Sequence, residues 1–400
     1  MATSSALSPF SAFSSLVPAR QRWRIVAFAV TTVALQTLGA LAIGALAIGA
    51  LALSAQPRPS STTGRSFART AVEPIEGFPD TQIDAVAQTP DGYLWLGTRR
   101  GVVRFDGLSA TTYSPANEPE MPSGEITSLT VEPSGRLWVS TSRGLVVREG
   151  GSFRRIDSTQ VPAATTWEVL RASDGRVWVT GVFGLYVGDG TRFHRVSDGG
   201  ALNYALTETA DGRIWIAGRD FFGSIGRGET TVIKAPFSAG ERFYEVISDG
   251  GRGLWVATRS GAWHLNVDNP RAITITERVM TGTAGVTAEV WSMVRDQAGD
   301  LWLGTQTRGV LRWDGQRLRS QEPGEASFAD AVWALALDAK GRVWAGTASG
   351  LIRHQRSPFT TVSTGMMQRA AYAVRADREG SLWASTEDGR VLRLENNRWR

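Results

Sequence analysis

The chain has 400 residues, of which 42% are hydrophobic and 44 are glycine, and its formal charge at pH 7 is +5. Its basic residues are almost all single, scattered arginines, so they form no positive stripe and argue against a nucleic-acid partner. The absence of cysteine excludes disulfides and thiolate metal sites.

The N-terminal part has the pattern of a membrane anchor. Residues 25–55 contain no charged side chain, and three arginines directly precede them. A helix needs about 20 apolar residues to cross a bilayer, and arginines favour the cytoplasmic side. We therefore predict a cytoplasmic tail at residues 1–24 and a transmembrane helix or signal anchor at 25–55, with cleavage near 52–55 as the alternative. Residues 56–72, rich in Ser, Thr, Pro and Arg, are predicted to be a flexible linker.

The rest of the chain is a repeat of about forty residues. Each copy has an aliphatic residue before a tryptophan, at Trp95, Trp138, Trp178, Trp215, Trp255, Trp302, Trp344 and Trp383. The position nine residues before each tryptophan is apolar and its neighbour, ten before, is small or polar, which is the alternation of a strand with one buried face. Turn glycines separate four such strands per copy. The pattern predicts an all-β chain with a β-propeller of four-stranded blades over residues 73–400.

The number of blades is open between seven and eight. Seven blades would leave the eighth repeat outside the ring. Eight blades would use every repeat, and we expect this arrangement because a leftover blade exposes an unpaired strand edge.

An aromatic column stands eleven residues before the tryptophans. Its members are Trp167, Tyr204, Tyr244, Trp291, Trp333 and Tyr372. They share strand parity with the apolar column, which predicts packing between blades; alternatively, they line a ligand-binding mouth, where aromatic faces stack on a sugar or another flat ligand. Glu168 and Glu245 follow this column and are predicted to be solvated channel carboxylates, with ligand contact as the alternative.

The sequence gives little support for catalysis. The three histidines, His194, His264 and His354, lie far apart and are expected around the third strands, away from the channel. Because metal ligands and catalytic groups must converge on one point, we predict no metal or catalytic cluster. No phosphate-binding or dinucleotide-binding motif occurs, so no cofactor is predicted.

Two copies carry a family resemblance. The segments Asp91–Thr98 with Gly101–Gly107, and Asp300–Thr305 with Leu311–Gly315, resemble the two-component regulator propeller repeat. The segment Glu73–Asp80 resembles the lead-in that, in this family, forms the outer strand of the last blade and closes the ring. The resemblance implies a periplasmic sensory domain of a receptor in the bacterial inner membrane.

We therefore expect a non-enzymatic propeller that binds a small molecule or carbohydrate as the input module of a signalling receptor. Kinase or cyclase activity would reside in a further C-terminal part or in a separate transmitter protein, and the chain would signal through that partner or as a homodimer. Two alternatives remain. One is a scaffolding propeller that binds proteins, and the other is a lyase of the streptogramin type, which needs a histidine and a carboxylate on one channel face.

Overall fold

The structure is a computed structural model that describes residues 67–72, 78–198, 203–218, 221–226, 229–232, 240–282, 288–322, 330–357, 371–378, 381–386, 389–395 and 398–399. All of them belong to the compact unit Ser61–Arg400. The predicted tail at 1–24 and the predicted anchor at 25–55 lie outside the described residues. Within the described part of the chain, no helix has both the length and the apolar character needed to span a membrane.

The described residues form eight four-stranded antiparallel sheets, and the first six each consist of four consecutive strands. Blade 1 contains β2 (Ala85–Gln88), β3 (Leu94–Gly97), β4 (Val102–Phe105) and β5 (Ala110–Tyr113). Blade 2 contains β6 (Ile126–Val131), β7 (Leu137–Thr141), β8 (Gly144–Glu149) and β9 (Ser152–Arg155). Blade 3 contains β10 (Thr166–Arg171), β11 (Val177–Gly181), β12 (Gly184–Gly188) and β13 (Phe193–Asp198).

The next three blades follow the same order. Blade 4 contains β14 (Asn203–Glu208), β15 (Ile214–Gly218), β16 (Phe221–Gly226) and β17 (Glu229–Val232). Blade 5 contains β18 (Phe243–Ser248), β19 (Gly253–Thr258), β20 (Gly261–Asn266) and β21 (Thr274–Met280). Blade 6 contains β22 (Val290–Arg295), β23 (Leu301–Thr305), β24 (Val310–Trp313) and β25 (Leu318–Ser320).

The seventh sheet takes its outer strand from the other end of the chain. Blade 7 contains β26 (Val332–Leu337), β27 (Val343–Thr347), β28 (Gly350–Arg356) and then β1 (Phe67–Ala71), which pairs antiparallel with β28. The eighth sheet contains β29 (Ala371–Ala376), β30 (Leu382–Thr386), β31 (Val391–Glu395) and β32 (Arg398–Trp399). The N-terminal strand β1 therefore completes blade 7, and the eighth sheet is built without it.

The ring has seven blades. The inner strands β2, β6, β10, β14, β18, β22 and β26 pack each against the next, and β26 packs against β2. Our expectation of an eight-bladed ring is thus wrong, because blade 7 meets blade 1 directly. The closing strand is also not the Glu73–Asp80 segment: it is Phe67–Ala71, inside the region predicted to be a linker. Its pairing along β28 covers the outer edge of blade 7.

Strand β1 is held by side chains as well as by pairing. The ring of Phe67 meets the ring of Trp302 edge-on at 4.7 Å between centroids, and the Arg312 guanidinium lies 4.6 Å from the Phe67 ring. Arg69 forms an ion pair with Glu322 at 3.1 Å between Nε and Oε2. Strand β1 is thus bound to blade 6 as well as to blade 7, so it joins two neighbouring blades.

The core is a series of apolar layers between blades. The repeat tryptophans of blades 1 to 7 are no more than 7% exposed, whereas Trp383 of the eighth sheet is 38% exposed. The apolar column behaves in the same way, since Val169 is 2% exposed and its counterpart Val374 in the eighth sheet is 55% exposed. The repeat tryptophan and the apolar column are therefore buried in the blades of the ring. In the described part of the eighth sheet, the same positions are exposed.

Small residues after the tryptophan allow the blades to approach closely. A Cβ atom added to Gly97 would lie 2.7 Å from Cγ2 of Ile126 in the next blade, and one added to Gly304 would lie 2.7 Å from Cγ1 of Val332. Both distances are too short for a side chain. The packing of neighbouring blades therefore requires glycine at positions 97 and 304.

A polar side chain six residues before the tryptophan anchors its indole, a relation that we did not predict. The acceptors of the Nε1–H group, at 2.7 to 3.0 Å, are Thr89, Glu132, Thr209, Asp296, Asp338 and Asp377. Blade 3 has Ala172 at this position, and Nε1 of the buried Trp178 has no hydrogen-bond partner among the described residues. Blade 3 thus lacks a hydrogen bond that six other sheets make.

We expect Ala172→Thr to restore this bond, as Thr89 and Thr209 do in blades 1 and 4. A hydrogen bond to a buried donor contributes about 1 kcal/mol to stability. The measurement is the denaturant midpoint of Ala172→Thr against Ala172→Val, which adds the same volume without the hydroxyl. Equal midpoints for the two variants would show that the indole nitrogen of Trp178 gains nothing from an acceptor.

Candidate functional site

The inner strands of blades 2 to 7 begin with a β-bulge. In blade 2, Ile126 is opposite Thr141 and Ser128 is opposite Ser140, so Thr127 is the extra residue. The same shift places Tyr204, Tyr244, Trp291 and Trp333 in the extra position. In blade 3 the interruption lies between Thr166 and Val169, and the eighth sheet repeats the shift at Tyr372. The bulge therefore falls on the aromatic column identified in the sequence.

A bulge explains why the parity argument fails for this column. One extra residue in a strand reverses the face to which the preceding side chains point. Trp333 is 36% exposed, whereas Leu335, two residues further on, is 8% exposed. Tyr244 packs partly against the core between blades 5 and 6 but also faces the open end of the channel. The packing interpretation therefore holds in part for Tyr244 and fails for Trp333.

The column lines a cavity of about 540 Å³ at the mouth of the channel. Its aromatic lining consists of Trp167, Tyr244, Trp291 and Trp333. Its polar lining consists of Gln82, Asp84, Arg99, Glu125, Thr127, Arg242 and Glu289. The structure thus brings four of the six predicted aromatic residues to one cavity. Tyr204 and Tyr372 occupy the equivalent strand positions, and their side chains lie outside what the structure describes.

A narrower cavity of about 220 Å³ continues from the mouth into the channel. The residues ten before each tryptophan line it, one from each blade: Ala85, Ser128, Glu168, Ala205, Glu245, Ser292 and Ala334. The four aromatic side chains line both cavities. A ligand that passes from the mouth into the channel therefore passes the aromatic rings.

The aromatic side chains at the mouth are fixed by one carboxylate. Tyr244 Oη donates a hydrogen bond to Glu289 Oε2 at 2.5 Å, and Trp291 Nε1 donates to the same oxygen at 3.2 Å. Trp291 stacks on Trp333 with 4.4 Å between ring centroids and 30° between planes. Burial, followed by the bond to Glu289, raises the pKa of Tyr244 to about 12. Tyr244 is thus a neutral hydrogen-bond donor, and the mouth is arranged before any ligand binds.

Glu168 and Glu245 line the channel and are partly exposed to it, and each also accepts a backbone hydrogen bond that we did not predict. Glu168 Oε2 accepts a hydrogen bond from the Leu206 backbone N–H of the next blade at 2.9 Å, and Glu245 Oε2 accepts one from the Met293 N–H. Burial raises the pKa of both groups to about 8, and repulsion by Glu245 adds to the shift at Glu168. Each carboxyl thus links two neighbouring inner strands, and its side chain remains partly exposed to the channel.

The mouth residues that sequence reasoning missed are mostly charged. Asp84 stands in the aromatic column without being aromatic, and Arg99, Arg242 and Glu289 lie in loops next to the inner strands. The pKa of Asp84 is raised by burial. The loops at this end of the ring all approach the channel. The spacing of these residues from the repeat tryptophans along the chain could therefore have identified them as residues of the mouth.

The histidines do not assemble into a site. His194 lies exposed on the fourth strand β13, just after the third strand of blade 3. His264 on β20 contacts Asp249 at 3.1 Å, and His354 is buried on β28. Within the described residues, no group of three or more His, Asp or Glu side chains could hold a metal ion.

Comparison with known proteins supports the repeat assignment. Residues 77–100 match the family model of the two component regulator propeller, so the chain carries this repeat and the resemblance is confirmed. No curated protein matches the chain in sequence. Two similar structures come from B. thetaiotaomicron. The extracellular domain of the putative hybrid two component system BT3049 has a TM-score of 0.67 at 18% identity, over 84% of this chain and 49% of that chain. The extracellular domain of the putative one component system BT4673 has a TM-score of 0.58 at 16% identity, over 84% and 46%.

A lyase has a similar fold. Virginiamycin B lyase from Staphylococcus aureus has a TM-score of 0.58 at 13% identity, over 72% of this chain and 98% of the lyase. All these identities are low, so the likeness establishes the propeller fold alone. The chain spans about half the length of the two extracellular domains that it matches.

Proposed function

We propose that this chain is the ligand-sensing input module of a bacterial two-component type receptor, with its propeller outside the cytoplasm. The observation that carries the proposal is the bulge in the inner strands of blades 2 to 7, which turns the aromatic column towards the mouth of the channel. Bulges cost strand pairing and are common next to functional sites. The regulator-propeller repeat at residues 77–100 and the fold shared with extracellular domains of such systems support the same function.

The ligand class that suits the mouth has a flat or sugar-like body. The exposed faces of Trp167 and Trp333 offer stacking surfaces, and the polar lining offers hydrogen-bond partners on both sides of them. We therefore propose a carbohydrate or another small molecule as the ligand. In this proposal the predicted helix at residues 25–55 anchors the chain, and the signal reaches a transmitter by association or through a further part of the receptor.

The two alternatives, a lyase and a scaffolding propeller, account for fewer features of the channel and its mouth. None of the three histidines lines the channel or its mouth, and the lyase hypothesis requires one there. A scaffolding propeller would not need aromatic side chains inside a cavity. Leu108, 87% exposed in the turn after β4, is a single residue, whereas the exposed side chains of Val374, Trp383 and Val391 all belong to the eighth sheet outside the ring.

The test is ligand binding by variants of the mouth. We expect an oligosaccharide panel, screened by isothermal titration calorimetry, to contain a ligand whose affinity falls at least tenfold in Trp291→Ala and in Trp333→Ala. Stacking on an aromatic pair contributes about 0.5–1.5 kcal/mol beyond buried area, so both terms together reach this loss. The matched control is Phe183→Ala, because Phe183 is 52% exposed at the same end of blade 3 and does not line the cavity.

Thermal unfolding of the variants separates folding from binding. Unchanged unfolding with lost binding supports a ligand site. A ligand that binds equally well to wild type, Trp291→Ala and Trp333→Ala would contradict the mouth as its site.

A further inference from the structure

The channel beneath the aromatic side chains is acidic and has no basic counterpart. Among the described residues that line it, Asp84, Glu168 and Glu245 carry carboxyl groups, and none is an arginine or a lysine. The mouth differs, because Arg259 Nε lies 3.7 Å from Glu289 Oε1 and the charge of Arg99 acts on Asp84. The acids at the mouth are therefore balanced by arginines, whereas Glu168 and Glu245 are not.

Two neighbouring acids that are half-buried in the channel wall, without a cation beside them, are unfavourable in their charged form. The protein supplies each with one backbone N–H group, at Leu206 and Met293, and burial still raises the pKa of both carboxyls to about 8. At neutral pH both groups are therefore held largely in the neutral form. A cation that enters the channel would favour their ionised form.

The aromatic side chains indicate which kind of cation fits. Trp167, Tyr244, Trp291 and Trp333 line the mouth and the channel together, so they surround the route from solvent to the two carboxyls. Ammonium groups bind the faces of Trp and Tyr within about 6 Å of the ring centre. A hard metal ion prefers several oxygen ligands and gains little from such rings.

We infer that the ligand of this site carries a protonated alkylamine, whose ammonium group passes between the aromatic side chains and pairs with Glu168 and Glu245 in the channel. This inference rests on the proposed function, since it names the chemistry of the sensed ligand. The flat or sugar-like body would occupy the mouth, and the ammonium group would occupy the channel. Asp84 and Tyr244 are the other titratable groups that face it.

Butylammonium chloride is the probe, with butanol as its neutral match and sodium chloride at equal ionic strength as the reference. On the full chain at pH 8, we expect butylammonium to bind and to change the tryptophan fluorescence, and butanol to bind at least tenfold more weakly. Glu168→Gln and Glu245→Gln keep an oxygen that accepts the backbone N–H and should each weaken binding about tenfold or more. Glu149→Gln is the control, because Glu149 is exposed on blade 2.

The pH dependence gives a second readout. Because the cation competes with the carboxyl proton, its affinity should rise with pH up to about 8, by as much as tenfold per unit for each proton released. It should then stay level until the amine loses its own proton near pH 10.4. Glu168→Gln combined with Glu245→Gln should remove the rise.

Three results would overturn the inference: equal binding of butanol, an affinity independent of pH between 6 and 8, or binding of calcium chloride with the same dependence on Glu168 and Glu245. The last result would identify a metal site. If neutral oligosaccharides bind at the mouth and butylammonium does not bind, the proposed function stands and only the inferred ammonium site is contradicted. If butylammonium binds and no oligosaccharide of the panel binds, the ammonium site is supported and the ligand is an amine without a sugar body.

Discussion

Replacing Trp302 by alanine is expected to lower the free energy of unfolding by about 3–5 kcal/mol, whereas Trp383→Ala should cost about 1 kcal/mol. Both residues occupy the same position of the repeat, and both indoles donate to an aspartate six residues earlier, at 3.0 and 2.8 Å. They differ in burial, because Trp302 is 0% exposed and Trp383 is 38% exposed. The difference follows from the seven-bladed ring, which packs Trp302 between two blades.

The two variants control each other, since the chemistry of the substitution is identical. Denaturant unfolding followed by circular dichroism gives the midpoints, and the amplitude shows whether the eighth sheet unfolds in a separate step. Equal, large losses would mean that Trp383 is as well packed as Trp302 and that the eighth sheet belongs to the ring. A loss below about 1 kcal/mol for Trp302 would contradict its place in the core between blades 6 and 7.

The repeat made the architecture predictable from sequence. Eight tryptophans at a forty-residue period, with Val169 and its equivalents nine residues earlier, require strands with one buried face, and the structure has these strands. The strand that completes the last blade of the ring could not be predicted in the same way. Phe67–Ala71 carries no repeat signature, and its pattern of one aromatic residue followed by small and polar residues is also that of a linker. Phe67–Ala71 becomes a strand because it pairs with the outer edge of β28, and this pairing is visible only in the structure.

The residues of the site could be predicted from the sequence in part, but the direction of their side chains could not, for a related reason. The aromatic column was visible in the sequence, but the face to which Trp291 and Trp333 point depends on the bulge. A bulge is a property of two paired strands, and the single strand does not reveal it. Similarly, the backbone contact of Glu168 comes from the neighbouring blade, at Leu206, so its pKa could not be inferred from nearby residues in the chain.

Loss of strand β1 should open the ring. We expect a chain that starts at residue 73 to be less stable by at least about 3 kcal/mol than one that starts at residue 67. Phe67 is partly buried, so it contributes less than the about 1.5–3 kcal/mol of a fully buried phenylalanine. Its contact with Trp302 adds about 0.5–1.5 kcal/mol, and the pairing with β28 supplies the rest. The exposed edge of β28 should also promote association between chains, which size-exclusion chromatography detects.

His354 reports the release of β1 independently of global unfolding. It is 1% exposed and pairs with Arg69 across the two strands, and burial, followed by the charge of Arg69, lowers its pKa to about 4. With β1 removed, the pKa of His354 should rise towards the ordinary value near 6.5. The chain has only three histidines, so their NMR signals can be followed separately. A chain from residue 67 to residue 357 is the control: if the seven-bladed ring is correct, it keeps the low pKa of His354 without the eighth sheet, and if the eighth sheet is needed for closure, it does not.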